Sequence, residues 1–152
     1  MAKLTVFGVE GLPEITPGMD LAEMTHAAAT AQGDALQDGD IVLVTSKIVS
    51  KAEDCIVDLT EIEPSPFATR WSEKWEKDPR VTEVVLRESK RVIRQIGPVL
   101  ITETHHGFCC ANSGVDQSSS GGDGLILTLP VDPDATCRAH RARFAELGVD
   151  VA

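Results

Sequence analysis

The sequence predicts an α+β fold, a mixed sheet with flanking helices, on three observations. Short runs rich in β-branched residues are interleaved with helical segments whose starts carry recognisable caps. Several connections between those runs have the antiparallel or irregular character that a doubly wound sheet lacks. The chain has 152 residues, 42% of them hydrophobic and 25% charged, a size and balance that suit one globular unit with a sizeable core.

Taken in order, LTVFGV (residues 4–9) reads as a first strand. It leads into EGLPEITPG, a loop punctuated by two prolines and two glycines. Asp20 then reads as an N-cap with Glu23 completing a capping box, opening a helix to about Gly33 whose apolar stripe includes Leu21, Met24 and Ala28. IVLVTSK (41–47) reads as a fully buried strand, because its apolar residues are continuous rather than alternating. Another strand follows at CIVDLTEI (55–62).

Ser65 before Pro66 marks a helix start, and Trp71 and Trp75, four apart on one face, are expected to pack against a neighbouring lobe or subunit. Asp78-Pro79 restarts a helix through about Lys90. Strands are expected at RVIRQI (91–96), VLITETHHGFCC (99–110) and LILTLP (125–130). Asp132 caps a last helix, with Pro133 in its first turn and Gly148 as terminator. GVDVA (148–152) reads as the first residues of a further buried strand.

Charge narrows the functions. Twenty-four acidic against fourteen basic residues give a net charge of −10, which argues against non-specific binding to nucleic acid or anionic lipid. A nucleotide in a local pocket of lysine, metal and backbone N–H groups stays compatible with that charge. No run approaches the roughly 18 apolar residues needed to span a bilayer, and MAKLTVFGVE lacks the apolar core of a signal peptide. The expectation is a cytoplasmic protein with no membrane or nucleic-acid partner. Its four cysteines, Cys55, Cys109, Cys110 and Cys137, fit no C-x-x-C motif, and reducing cytosol disfavours a disulfide framework.

Chemistry concentrates in HHGFCCANSGVDQSSSGG (105–122). A zinc site is one reading, but neighbouring residues on a strand face opposite ways. At most one of His105 and His106 and one of Cys109 and Cys110 would then share a metal. A catalytic thiol with a histidine base is a second reading, set against cysteines that simply pack at a strand end. The third reading is a loop for phosphate and metal. Small residues let backbone N–H groups approach phosphate, and Asp116 is suited to a hard cation. A surface loop with aspartate supporting its turns is the plain alternative.

TSKIVSKAE (45–53) places Ser46 and Lys47 at the end of an expected buried strand, where open sheets bind ligands. Lys51 shares a face with Lys47 if a helical turn begins there. Two converging ammonium groups suit a polyphosphate; two solvated lysines are the alternative. GLPEI (11–15) presents backbone groups to a base or ribose, or is simply a turn.

The ordered set GLPEI, DGDIVLVTSKIVSKAE, DPR…VLRES, ETHHGFCCANSGVDQSS and LPVDPDA resembles the coenzyme F420-0:L-glutamate ligase family, the gamma-glutamyl ligases of F420 biosynthesis, over essentially the whole chain. The resemblance implies GTP-dependent addition of L-glutamate to F420-0 through an acyl phosphate, with magnesium or manganese, in a cytoplasmic homodimer. It assigns Leu12, Pro13, Glu14 and Ile15 to the guanine-nucleotide loop, Ser46, Lys47 and Lys51 to nucleotide contacts, and Asp116 to the first metal. Ser119 stands where the family has a nucleotide-touching asparagine, and is shorter with fewer donors. No metal or nucleophile role falls on His105, Cys109 or Cys110.

In the family, the strand begun by GVDVA continues into an aspartate-threonine-phenylalanine-glycine-arginine segment and a later glycine-rich stretch. The resemblance therefore implies an N-terminal part, C-terminally shortened and inactive alone unless another chain completes the site. The alternative is a non-catalytic module that binds nucleotide or a partner chain.

Overall fold

A computed structural model describes residues 4–117, 122 and 124–152. It shows the expected α+β architecture: among the described residues, five α-helices and two small antiparallel sheets. In chain order these are α1 (Leu21–Gln32), α2 (Ser46–Ala52), β1 (Ile56–Asp58), α3 (Pro66–Lys74), α4 (Pro79–Arg87), β2 (Ser89–Ile96), β3 (Val99–Thr104), β4 (Cys109–Ala111), β5 (Leu125–Leu127) and α5 (Pro133–Glu146). One sheet pairs β1 with β5; the other runs β2-β3-β4.

The helix starts follow their caps. The Asp20 carboxylate accepts from the Glu23 N–H at 3.0 Å, and Gly33 closes α1 at φ 92°, a left-handed value that favours glycine. The other half of the expected capping box is spent elsewhere, since the Glu23 carboxylate accepts from Arg143 on α5. Ser65, Asp78 and Asp132 cap α3, α4 and α5, each followed by proline in the first turn. The apolar stripe of α1 is displaced from the expected one: Leu21, Ala22, Thr25 and Ala29 are buried, while Met24 and Ala28 are half-buried.

Several expected strands differ. Residues 4–9 form no strand, and Leu4 and Val6 stand in solvent. Residues 41–45 are likewise no buried strand: Ile41 is 71% and Leu43 90% exposed. Their backbone is nonetheless paired on one side. Gly39 donates to Asp150, Ala152 to Asp40 and Val42 to Ala152, a parallel pattern that tucks in Val149 and Val151 beside Ala22 and Phe144. The expected strand 99–110 is a hairpin, because Gly107 at φ 88° turns the chain between β3 and β4. The helix expected to reach Lys90 stops at Arg87, and β2 begins at Ser89.

Four apolar clusters make the core. Ile15, Leu21 and Val49 join the 11–15 loop to α1 and α2. Trp71 packs with Val85 and Leu100, and Trp75 lies part-buried against them, so Trp71 finds its packing partners within this chain. Ile126 of β5 packs on Leu59 and Val84. No helix among the described residues is long and apolar enough to cross a membrane.

Candidate functional site

Helix α2 organises the site. Thr45 occupies its N-cap position without a side-chain hydrogen bond, Val49 anchors it in the core, and its seven residues carry both lysines singled out in the sequence. Ser46 and Lys47 therefore open a helix, rather than ending a buried strand. Lys47 reaches Asp116, with Nζ 2.7 Å from Oδ2. Lys51, only 8% exposed, donates its Nζ to the Glu14 carboxylate. A buried ammonium needs such a partner, since its charge would otherwise be stranded in low dielectric.

The loop bearing Glu14 is held on the C-terminal side of that residue. The Ile15 side chain is buried against Leu21 and Val49, and the Gly18 N–H donates to the Ala52 carbonyl at 2.8 Å. Leu12, Pro13 and Glu14 remain exposed around this anchor. Residues far apart in sequence thus meet on one helix: Glu14 with Lys51, and Asp116 with Lys47.

Asp116 is delivered by a turn whose role the sequence did not reveal. Asn112, Ser113 and Gly114 take φ of 50°, 53° and 71°, three left-handed residues in succession. Non-glycine residues adopt this region at a cost that the surroundings must offset. Here the offset is visible. Ser113 is 1% exposed, and its Oγ lies 2.6 Å from the Ser89 hydroxyl, 2.8 Å from that of Thr102 and 3.1 Å from the Val85 carbonyl. The Asn112 side chain accepts from the Leu100 N–H at 3.2 Å. Beyond the turn, Asp116 exchanges both backbone hydrogen bonds with Leu127, at 2.9 and 2.8 Å. The signal available in the sequence was the string ANSG, which reads equally well as a surface turn.

The histidines and cysteines form no centre of their own. His105 Nε2 meets the Arg87 carbonyl at 2.9 Å, and His106 Nε2 that of Val131 at 3.1 Å, so both rings serve the backbone. Cys109 is exposed and Cys110 half-buried, rather than both buried as packing alone would have them. Burial pushes the Cys110 thiol above its ordinary range and the neighbouring Cys109 adds to the rise, which disfavours a thiolate nucleophile. Between β4, α5 and residues 42–46 lies a largely apolar cavity of 540 Å³, lined among others by Val44, Ser46, Phe108, Leu129 and Phe144.

Among the described residues, no three His, Cys, Asp or Glu side chains come together as a metal-ligating group. An all-protein metal centre therefore does not fit the described residues. A magnesium-like ion held by one carboxylate and by phosphate oxygens does fit Asp116, whose carboxylate is part-exposed and already engages a cationic group. Ser119, expected near the nucleotide, lies outside the described residues.

Comparison with known proteins agrees with the ordered motifs. Residues 11–152 match the family model described as F420-0:Gamma-glutamyl ligase. The chain is 44% identical to a coenzyme F420:L-glutamate ligase of Methanopyrus kandleri, over 99% of this chain and 59% of that protein. It is 44% identical to the ligase of the same name in Methanothermobacter thermautotrophicus, over 88% and 52%, and 40% identical to that of Halobacterium salinarum, over 95% and 57%. The chain thus spans somewhat over half the length of these curated relatives, and it belongs to the F420-0:gamma-glutamyl ligase family.

Proposed function

We propose that this chain carries the lysine- and aspartate-bearing part of a site that joins L-glutamate to coenzyme F420-0 with consumption of GTP. The observation that supports it is the convergence on α2. Lys47 and Lys51 meet Asp116 and Glu14, and all four were assigned to nucleotide or metal from ordered motifs. The activity for which the relatives are named supplies the substrate class.

The chemistry balances in two steps. A carboxylate oxygen of F420-0 takes the γ-phosphoryl group of GTP, breaking the β–γ bridge and releasing GDP. The glutamate amine then attacks the acyl carbon, phosphate leaves, and the nitrogen loses a proton to give the amide. Lys47 and Lys51 hold polyphosphate and offset the charge that develops during transfer. Leu12, Pro13 and Ile15 border the nucleotide, with Ile15 fixing the loop from beneath. Magnesium or manganese, when bound at Asp116, would supply Lewis-acid neutralisation of the transferred group. GTP and free glutamate are metabolites of the cytoplasm, and the reaction is assigned there.

A second reading is favoured by a specific observation: Asp116 is one carboxylate, whereas a two-metal centre shares several ligands between its ions. In that reading the chain binds nucleotide or a partner without completing catalysis. The exposed Ile41 and Leu43, on a segment paired along one edge among the described residues, support association with another chain, and we propose a homodimer.

One experiment separates the readings. The protein is incubated with F420-0, L-glutamate, GTP and manganese, and the products are weighed by mass spectrometry. A gain of one glutamyl unit that is lost in Asp116→Asn supports the ligase. GTP binding by calorimetry without any product supports the binding module. A result with neither binding nor product refutes the ligase and the nucleotide-binding module, and leaves the partner-binding form to a measurement of association.

A further inference from the structure

We propose that Lys47 is the resident counter-ion of Asp116, and that polyphosphate and divalent cation bind cooperatively because each takes one partner of this pair. The inference rests on the functional reading above for the identity of the two ligands. Its physical content is the charge arrangement on α2.

The two candidate phosphate-binding lysines are each engaged by a carboxylate of the same site, Lys47 by Asp116 and Lys51 by Glu14. Within these pairs the charges cancel. A polyphosphate arriving alone must compete with two carboxylates for its ammonium groups. A divalent cation arriving alone must displace an ammonium from Asp116. Either ligand binds against an internal competitor, and that competitor is the residue needed by the other ligand.

The pairs differ in which partner can move. Lys51 is nearly buried while the Glu14 side chain is 74% exposed, so in that pair the carboxylate moves and the ammonium stays. The side chains of Lys47 and Asp116 are 37% and 28% exposed, and a part-exposed ion pair is weakly held. Asp116 is fixed by its backbone exchange with Leu127 and by the left-handed turn before it. Lys47 sits in the first turn of a short helix on a long flexible stem. The lysine is therefore the part that moves and the aspartate the part that stays.

A cation on Asp116 releases the Lys47 ammonium toward phosphate, and phosphate on Lys47 leaves the Asp116 carboxylate to the cation. Linkage makes the effect reciprocal: whatever factor the cation contributes to nucleotide affinity, nucleotide returns to the cation.

The test measures Mn²⁺ binding by electron paramagnetic resonance and GDP binding by calorimetry, each with and without the other, corrected for Mn·GDP formed in solution. For the unaltered protein each ligand is expected to tighten the other about tenfold. Lys47→Met should tighten Mn²⁺ without nucleotide about tenfold, weaken GDP, and bring the coupling close to one. Asp116→Asn should abolish Mn²⁺ binding while tightening metal-free GDP, because Lys47 is then released from the Asp116 carboxylate.

Mn²⁺ affinity that is unchanged or weaker in Lys47→Met, with binding still lost in Asp116→Asn, overturns the counter-ion role and leaves the site reading standing. Mn²⁺ binding that survives Asp116→Asn, or is absent from both the unaltered protein and Lys47→Met, overturns the site reading and this inference with it. Lys47→Gln must change Mn²⁺ affinity in the same direction, which covers the case in which methionine disturbs α2.

Discussion

Asp116 and Glu14, the two carboxylates that answer the lysines of α2, are held in opposite ways. Asp116 follows three left-handed residues pinned by buried hydroxyls and is then tied to Leu127 through both backbone groups. Glu14, with a side chain 74% exposed, sits on a loop fixed mainly by one apolar anchor, Ile15. The first arrangement is directional and tolerates little displacement. The second depends on burial, which is strong but not directional. A site that must keep one acid still while a lysine moves past it gains from the first; a loop that accommodates a ligand gains from the second.

The largest expected effect tests the rigid side. Gly114 has φ 71°, and a Cβ added there would lie 2.9 Å from the Leu129 side chain. Gly114→Val combines a backbone that is costly for a β-branched residue with a clash against Leu129, and should cost about 4 kcal/mol. Urea unfolding would measure it. A loss under about 1 kcal/mol would mean that the turn yields freely and is not the rigid member of the comparison.

Next comes the apolar anchor. Ile15→Ala removes a side chain 6% exposed between α1 and α2, an expected loss of about 3 kcal/mol. It should loosen Lys51–Glu14 while leaving Lys47–Asp116 intact. Protection of backbone amides from hydrogen exchange would report this, as a fall at Gly18 with none at Asp116. Equal losses at both would merge the two regions into one cooperative unit.

A smaller effect separates hydroxyl from backbone strain at Ser113. Ser113→Ala keeps the left-handed cost and strips the hydroxyl from Ser89, Thr102 and the Val85 carbonyl, for about 2 kcal/mol. Ser113→Gly loses the same hydroxyl but relieves the strain, so its cost in urea unfolding should be visibly lower. The reverse order would remove strain from the account of how Asp116 is placed.

These regions also differ in how legible they were. Helix starts could be read because a cap is a local event: Asp20, Ser65, Asp78 and Asp132 each satisfy an N–H two or three residues on. Lys47 and Lys51 were read as neighbours for the same reason, since helical spacing is local. The partner of each lysine was not legible as a partner, because its approach depends on tertiary packing. Apolar content misled at residues 4–9 and 41–45, where a run that looks buried stands largely exposed. Ser113 was invisible for the converse reason. A small polar residue between asparagine and glycine signals a surface turn, and nothing local announces that its hydroxyl meets partners from α4, β2 and β3.

The smallest effect expected concerns the support beneath the Glu14 loop. Asp20 caps α1, the helix that presents Leu21 to Ile15, and Arg143 reaches it from α5 with Nε 2.7 Å from the carboxylate. The Glu23 N–H holds the Asp20 carboxyl below its ordinary value against the opposing effect of burial, and Arg143 lowers it further. A carboxyl lowered in the folded state binds its proton more readily when unfolded. Its contribution is therefore complete above the unfolded value and is lost as pH falls through the folded one. Asp20→Asn keeps an acceptor for the helix cap but discards the charge. At neutral pH this variant should melt below the unaltered protein. As pH falls below about 4, the two melting curves should converge, since protonation removes the same charge that the substitution does. A gap that persists undiminished into acid would show that Asp20 acts on α1 as a neutral acceptor, and that Arg143 adds nothing to the support of the loop.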